Sequence, residues 1–427
     1  MKEFREKAYL LLRKSEAFFK TDMVYLARGG SWLGIGQVAS AGIAFISSLF
    51  FANIVSKDLY GSYKFIIAST SILATFSLSG MGSVVTQGVA RGFEGILDKA
   101  VRTTLRFGTI IFISALGLSI YYFLNKNYVL GFSMLIAGIS LPFNQAYSLA
   151  GSYLLGKKEF KKVTVTNTAS QFLTTTAVII SAITTKNLLI TVATYFVFNT
   201  LTTIWVYIYT KRKFNINDTQ DHTLIPYGKH LSLMSTFGTI ANQFDKLLVF
   251  HYLGAIQLAI YAFSQALPDQ IRAVYKNIFT IAIPKYALYS QAEMRVSMMR
   301  KFKQLSLLTI GIILLYIVCA PFIFTHFFPK YMDSLFYSQI YILGLITIPG
   351  IGLFANYFQL KKATRIQYKL NIIGNTSTLI ITFFLIYTYG LLGAVMANGL
   401  SWLVMLLTHW YYFINDKEVS EINLIQV

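Results

Sequence analysis

Charge is scarce in this sequence. Lys, Arg, Asp and Glu together make up 13% of its 427 residues, where a soluble globular domain carries about a quarter. A chain so poor in charge is not solvated by water along its length. A single cysteine, Cys319, lies inside an apolar run, so there is no disulfide framework and no CxxC metal or redox pair. The histidines, His222, His230, His251, His326 and His409, are dispersed, and no GxSxG, Walker or HExxH pattern occurs. The chain therefore carries no enzyme signature and no site for hydrolysing ATP, and neither a metal nor a cofactor is expected. Acidic residues are the scarcer kind, 17 against 37 basic ones, for a net charge of +20. A nucleic-acid-binding protein gathers such an excess on one domain; here it is scattered between apolar runs.

Those runs are what the sequence has in place of charge. Apolar residues make up 55% of the chain, in stretches of about twenty or more, too long and too many for the cores of soluble domains. In hydrocarbon every backbone amide must be paired internally, so each run predicts a helix. The runs fall at 31–54, 61–89, up to about 124, 128–155, 163–184 and 188–210, then at about 230–253, 256–283, 304–327, 335–360, 367–388 and 391–413. Short polar turns separate many of them, among them Val55 to Tyr60, Asn125-Lys126-Asn127 and Thr185-Lys186-Asn187. Such turns leave neighbouring helices antiparallel. Pro142, Pro268 and Pro349 lie inside runs and predict kinks or breaks.

Sorting Lys and Arg by alternate side collects 29 on one side and four, Lys57, Lys126, Lys186 and Lys330, on the other. Cytoplasmic loops hold the excess, so both termini are expected in the cytoplasm. The fold expected is all-α, a polytopic membrane protein of about twelve transmembrane helices in two pseudo-symmetric six-helix bundles. Residues 1–28 predict a cytoplasmic interfacial amphipathic segment, 29–210 the N-terminal bundle, 211–229 a cytoplasmic linker, 230–414 the C-terminal bundle and 415–427 a cytoplasmic tail. LFFANIVSKDLYGSY (49–63) and KLLVFHYLGAIQLAIY (246–261) echo one another, with Tyr63 and Tyr261 in equivalent places. The same direction in both halves implies a parallel repeat.

Ionisable residues inside spans each cost about 2.5–3.5 kcal/mol at a helix centre and so point to function. The eighth span carries Gln265, Asp269, Arg272 and Lys276 on one narrow face. Arg272 and Lys276 are like charges one turn apart, unfavourable unless an anion lies between them. They read either as a groove for phosphate or diphosphate or as a snorkelling pair near a helix end. The seventh span repeats the pattern with Ser235, Thr239, Asn242 and Lys246, beside Asp245; the last two are substrate and ion-coupling candidates or a pair that holds the bundle. Lys64, one turn into the second span, and Arg28, before Gly29-Gly30, are further candidates for substrate binding, against interfacial or topological roles. Asp269 and Asp245 are the available proton or sodium carriers.

The stretch YLARGGSWLGIGQVASAGIAFISSLFFANIVSKDLYGSYKFIIAS from Tyr25 resembles the opening hairpin of the polysaccharide-biosynthesis branch of the multidrug, oligosaccharidyl-lipid and polysaccharide exporter superfamily. In that family a glutamine-bearing helix ends in a short turn and an acidic-x-(Tyr/Phe)-Gly sequence, here Asp58-Leu59-Tyr60-Gly61. NQFDKLLVFHYLG (242–254) resembles the family's seventh helix and GLLGAVMANGLSWLVMLL (390–407) its twelfth. The resemblance implies alternating access of two six-helix bundles around a cationic cavity. It also implies movement of undecaprenyl-diphosphate-linked oligosaccharide repeat units across the bacterial cytoplasmic (inner) membrane, for lipopolysaccharide O-antigen, capsule or exopolysaccharide. Arg28, Lys246, Arg272 and Lys276 would hold the head group while the prenyl tail stays among membrane lipids. Polysaccharide polymerase and chain-length proteins are the implied partners.

Two other readings are weighed against it. A multidrug or cation antiporter of the same superfamily would prefer an acidic, aromatic cavity, which the cationic eighth span opposes. A membrane glycan polymerase or ligase usually carries a large outer loop, and every outer loop here is short.

Overall fold

The computed structural model describes residues 23–219, 221, 223–286, 289–361 and 363–416, with their side chains apart from those of 23–30, 33, 234, 276–278 and 280–285. The expected interfacial segment 1–28 and the tail 415–427 lie largely outside the described residues.

The described residues form helices, with no strand among them. Up to Lys213 they are α1 (Met23–Ile54), α2 (Lys57–Ala74), α3 (Met81–Ala90), α4 (Ile96–Leu124), α5 (Tyr128–Tyr147), α6 (Leu149–Gly156), α7 (Phe160–Thr185) and α8 (Leu188–Lys213). After them come α9 (Leu224–Leu253), α10 (Ala255–Tyr286), α11 (Gln291–Phe327), α12 (Asp333–Leu343), α13 (Ile348–Leu360) and α14 (Thr364–Ile414).

By length and apolar content seven helices are fit to cross a membrane, and the bent pair 57–77 and 81–90, meeting at 51°, makes an eighth. α14 is 51 residues long, about 77 Å at 1.5 Å per residue and more than twice a hydrocarbon core of about 30 Å. It is two spans joined at Gly390, whose φ of 56° and ψ of −128° leave the helical region. With the more polar α7, α9 and α10 the described residues make twelve helical passes, a multi-pass membrane protein. Large apolar side chains point outward, among them Leu307, Val318 and Leu124 at 72%, 76% and 78% exposed. That is the surface of a protein solvated by lipid rather than water.

The polar turns start the helices they precede. Ser56 accepts from Leu59 N–H, Asn127 from Leu130 N–H, and Asn187 from Leu189 and Ile190 N–H, each satisfying orphan amides of a first turn. Ser290 and Glu293 form a capping box on α11. Pro142 sits inside α5, and the helical run is interrupted only at Ser148. Gly108 faces the proline: a Cβ there would come 2.7 Å from the Pro142 Cβ. Pro349 stands at the start of α13 after a 3-10 turn over Gly344–Thr347, the expected break. Pro268 departs from expectation, because α10 runs through it without interruption. Proline removes one amide donor, and when the chain stays helical on both sides that loss alone does not divide a helix.

Residue contacts gather Tyr25–Leu247 into one unit, here the N-terminal unit, and the chain from Leu248 into the other. The boundary falls inside α9, past the 211–229 linker that hydrophilicity predicts. The start of α9 packs against α3 and its preceding turn, which explains its place in the N-terminal unit. Ser232 Oγ accepts from Gly80 N–H at 2.9 Å, and Ser79 and Ser235 share a hydrogen bond of 2.6 Å. A Cβ on Gly80 would lie 2.8 Å from Gly228 O, so only glycine permits this approach.

Each unit buries an apolar core. In the N-terminal unit it is built from Met81, Val84, Ile96, Leu97, Ala150 and Tyr153, with Leu224 and Ile225 from α9. In the C-terminal unit it is built from Tyr275, Phe279, Met298, Phe354, Tyr357 and Phe413. Beside each core a Tyr-x-x-x-Lys pair grips a carboxylate. Tyr153 donates to Glu94 Oε2 at 2.8 Å, and Lys157 pairs with Glu94 Oε1. In the other unit Tyr357 donates to Asp416 Oδ2 at 2.8 Å, and Lys361 Nζ lies 2.7 Å from Asp416 Oδ1. Burial alone would raise the Glu94 carboxyl, but Lys157 and Tyr153 outweigh it and hold the group below the usual glutamate range. The same device thus recurs in the two halves on different carboxylates. The two tyrosines that the sequence echo matches have different surroundings: Tyr63 meets the Tyr195 ring edge-on at 6.0 Å, while Tyr261 OH accepts from the Asn398 amide at 2.6 Å.

Candidate functional site

The polar face of α10 lies in the C-terminal unit, buried at Tyr261 and Gln265 and partly exposed at Asp269 and Arg272. Tyr261 is fully buried and bonded to Asn398 on α14. Gln265, one turn on, is also buried. Asp269 follows, and its Oδ1 accepts from the Tyr341 hydroxyl of α12 at 2.9 Å. Arg272 Nη1 lies 3.5 Å from that same oxygen, and its guanidinium rests over the Trp402 ring of α14 at 5.0 Å. Tyr341 and Trp402 in turn meet edge to face at 5.4 Å. Three helices therefore hold one arginine, through an ion pair below it and an aromatic plane beside it.

The chemistry of this seat follows from its geometry. A guanidinium over an indole gains about 0.5–1 kcal/mol when partly exposed and more when dry, and that contact together with the Asp269 carboxylate restrains where the guanidinium sits. The Arg272 and Asp269 side chains are 41% and 43% exposed, so the pair is open on one side rather than entombed. Among the described residues the guanidinium donates no hydrogen bond. An oriented, open set of N–H donors is what a phosphate or carboxylate oxygen pair recognises bidentately. Sequence periodicity places Asp269 and Arg272 together; it gives no sign of Tyr341 or Trp402, which come from helices distant along the chain.

The other expected site residues are distributed as follows. Lys276 continues along α10, one turn past Arg272, and its side chain lies outside the described residues, as does that of Arg28 in α1. Asp245 and Lys246 adjoin each other in the N-terminal unit. Asp245 is buried, accepts from Lys246 N–H at 2.7 Å and lies 3.7 Å from Lys246 Nζ. Lys64 is half-buried in α2, with its ammonium 5.2 Å from the Tyr60 ring.

Residues 26–287 match the family model described as polysaccharide biosynthesis protein. The chain belongs to that family. No curated protein sequence matches it. Among solved structures its fold is similar to that of a lipid II flippase MurJ in an inward closed conformation, at 13% identity, with 90% of this chain and 87% of that one covered and a TM-score of 0.69. An inward-facing multidrug resistance transporter of the superfamily covers 89% of this chain and 96% of its own at 12% identity and TM-score 0.68. An outward-facing one covers 91% and 95% at 11% identity and TM-score 0.65. This polysaccharide biosynthesis family member thus shares its fold with the lipid II flippase and with the multidrug resistance transporters.

Proposed function

We propose that the protein is a flippase, not an enzyme, that translocates a prenyl-diphosphate-linked oligosaccharide across a bacterial cytoplasmic membrane by alternating access, with both termini cytoplasmic. The observation that carries the reading is the oriented Arg272 guanidinium, seated on Trp402 with its donors open, in a member of a polysaccharide biosynthesis family. It offers a fork to the diphosphate, and Lys276, one turn further along α10, is a second candidate cation. Lys246, Lys64 and Arg28 are further candidate contacts. Asp269 competes with the substrate for Arg272, so a proton or sodium ion at Asp269, or at Asp245, offers a route for coupling to a gradient. The carried glycan is destined for O-antigen, capsule or exopolysaccharide, handed to polymerase and chain-length proteins. In this reading 211–229 is the cytoplasmic linker between the six-helix bundles 29–210 and 230–414.

The test is leaflet transfer of a fluorescent prenyl-diphosphate oligosaccharide in proteoliposomes, with and without imposed proton and sodium gradients. Wild type transfers the lipid and Arg272→Ala transfers it at least tenfold more slowly at equal insertion. An unaffected Arg272→Ala variant removes the diphosphate assignment. No transfer by wild type under any gradient, with export of a cationic dye in its place, turns the reading to multidrug transport.

A further inference from the structure

The N-terminal unit holds a separate polar recess between α2, α5 and α8, of about 100 Å³. Thr70, Ser71, Asn144, Gln145, Tyr195 and Asn199 bring polar groups to it, against an apolar backing that includes Phe196. Asn144 and Asn199 lie about 24 and 17 Å along their helices from Tyr128 and Leu188 at 1.5 Å per residue, well inside the length that spans a hydrocarbon core about 30 Å thick. Carboxamides at that depth are expensive unless something pairs with them.

Hydrogen bonding inside the recess leaves a defined remainder. The Asn144 Nδ2 donates to Asn199 Oδ1, while Thr70 and Ser71 donate to backbone oxygens of Ile66 and Ile67 at 2.8 and 2.7 Å. Among the described residues the Asn144 oxygen, the Asn199 amide donor, the whole Gln145 carboxamide and the Tyr195 hydroxyl have no hydrogen-bond partner. Both donors and acceptors are therefore on offer, with neither a carboxylate nor a cation lining the space. An anion finds no countercharge there, and a metal cation meets amide donors as well as oxygens. A hydroxyl, which donates and accepts at once, satisfies both kinds of group, and an amide's paired donor and acceptor match two neighbouring hydroxyls of a ring. At about 30 Å³ per water the recess takes two or three hydroxyl groups, one edge of a sugar.

We infer that this recess is a binding subsite for the hydroxyl edge of a neutral sugar residue. It rests on the reading of the protein as a glycan flippase and adds to it a place where the glycan, rather than the diphosphate, is recognised.

The test uses the full chain in a detergent without sugar and titrates free neutral hexoses, N-acetylhexosamines, a uronic acid, and sodium and potassium chloride, following intrinsic fluorescence and thermal protection. At least one neutral sugar binds saturably in the millimolar range. Gln145→Met, which removes a carboxamide that bonds to nothing else described, raises its dissociation constant at least tenfold with an unchanged melting temperature. Asn199→Leu does the same or worse. Sugar binding that Gln145→Met leaves intact overturns the assignment, as does protection by sodium or potassium alone or the absence of binding by every neutral sugar. No diphosphate or transport enters the measurement, so its failure is separate from failure of the flippase assay.

Discussion

Removing the Asp416 carboxylate should unsettle the C-terminal unit far more than a surface substitution would. Asp416 accepts from Lys361 Nζ at 2.7 and 2.8 Å and from Tyr357 OH at 2.8 Å, and the Lys361 and Asp416 side chains are only 12% and 9% exposed. Breaking a pair so covered, by deleting one partner, costs about 3–5 kcal/mol because the other charge stays in a poor solvent. The remaining exposure and the neighbouring Arg295, which donates to Ile414 O at 2.9 Å, place the expectation for Asp416→Ala near the lower end, about 3 kcal/mol. For a unit of this size one kcal/mol moves a melting midpoint by about 2–4 °C, so the midpoint should fall by about 6–12 °C. The assay is recovery of monodisperse protein after heating in detergent, read by size-exclusion chromatography. Adding Lys361→Met to Asp416→Ala should restore at least half of the loss, since the ammonium that faced the lost carboxylate is gone. A single variant within about 1 °C of wild type, or a double variant as unstable as the two single losses added, would refute the reasoning.

Acidification probes the matching device in the other unit. The Glu94 carboxyl is held low in the folded protein, so its contribution is full above the ordinary carboxylate range and is lost as pH falls through the folded value. Glu94→Gln should melt earlier at neutral pH and show a flatter decline below about pH 4.3 in the same thermal assay. Gly390→Ala places a side chain at φ 56°, ψ −128° and should cost about 1–3 kcal/mol, seen as a lower melting temperature with correct insertion retained. Arg272→Lys keeps the charge but loses the planar fork and the seat on Trp402; leaflet transfer should fall nearly as far as in Arg272→Ala. Asp269→Asn should transfer at a rate independent of an imposed gradient, and normal gradient dependence would dismiss it as the coupling group.

Much of the architecture is local and for that reason legible in the sequence. Runs of apolar residues at spanning length, and turns carrying Ser56, Asn127 and Asn187, determine where helices begin, because the capping atoms lie within three residues of the amides they satisfy. The 3.6-residue period likewise puts Gln265, Asp269 and Arg272 on one face. Asp245 and Lys246 are neighbours on α9, and the 3.7 Å between the Lys246 ammonium and the Asp245 carboxylate is a contact within one helix rather than a tie across the bundle.

What the tertiary structure decided is whatever depends on residues far apart in sequence. Trp402 and Tyr341 reach Arg272 and Asp269 only through the packing of α12 and α14 on α10, and nothing in the local pattern of any of the three helices encodes that meeting. Glu94 and Asp416 find the same Tyr-x-x-x-Lys grip from different loops, so no alignment of the two halves would have paired them. Contacts assign the first part of α9 to the N-terminal unit because Gly80 and Gly228 allow close approach, a matter of side-chain size across two helices. Pro268 is a helix breaker by its chemistry, yet the helix continues through it. The sequence determined the helices and their polar faces, since those follow from short-range hydrogen bonding and solvation by lipid; the partners of each face came from packing, which is a property of the folded whole.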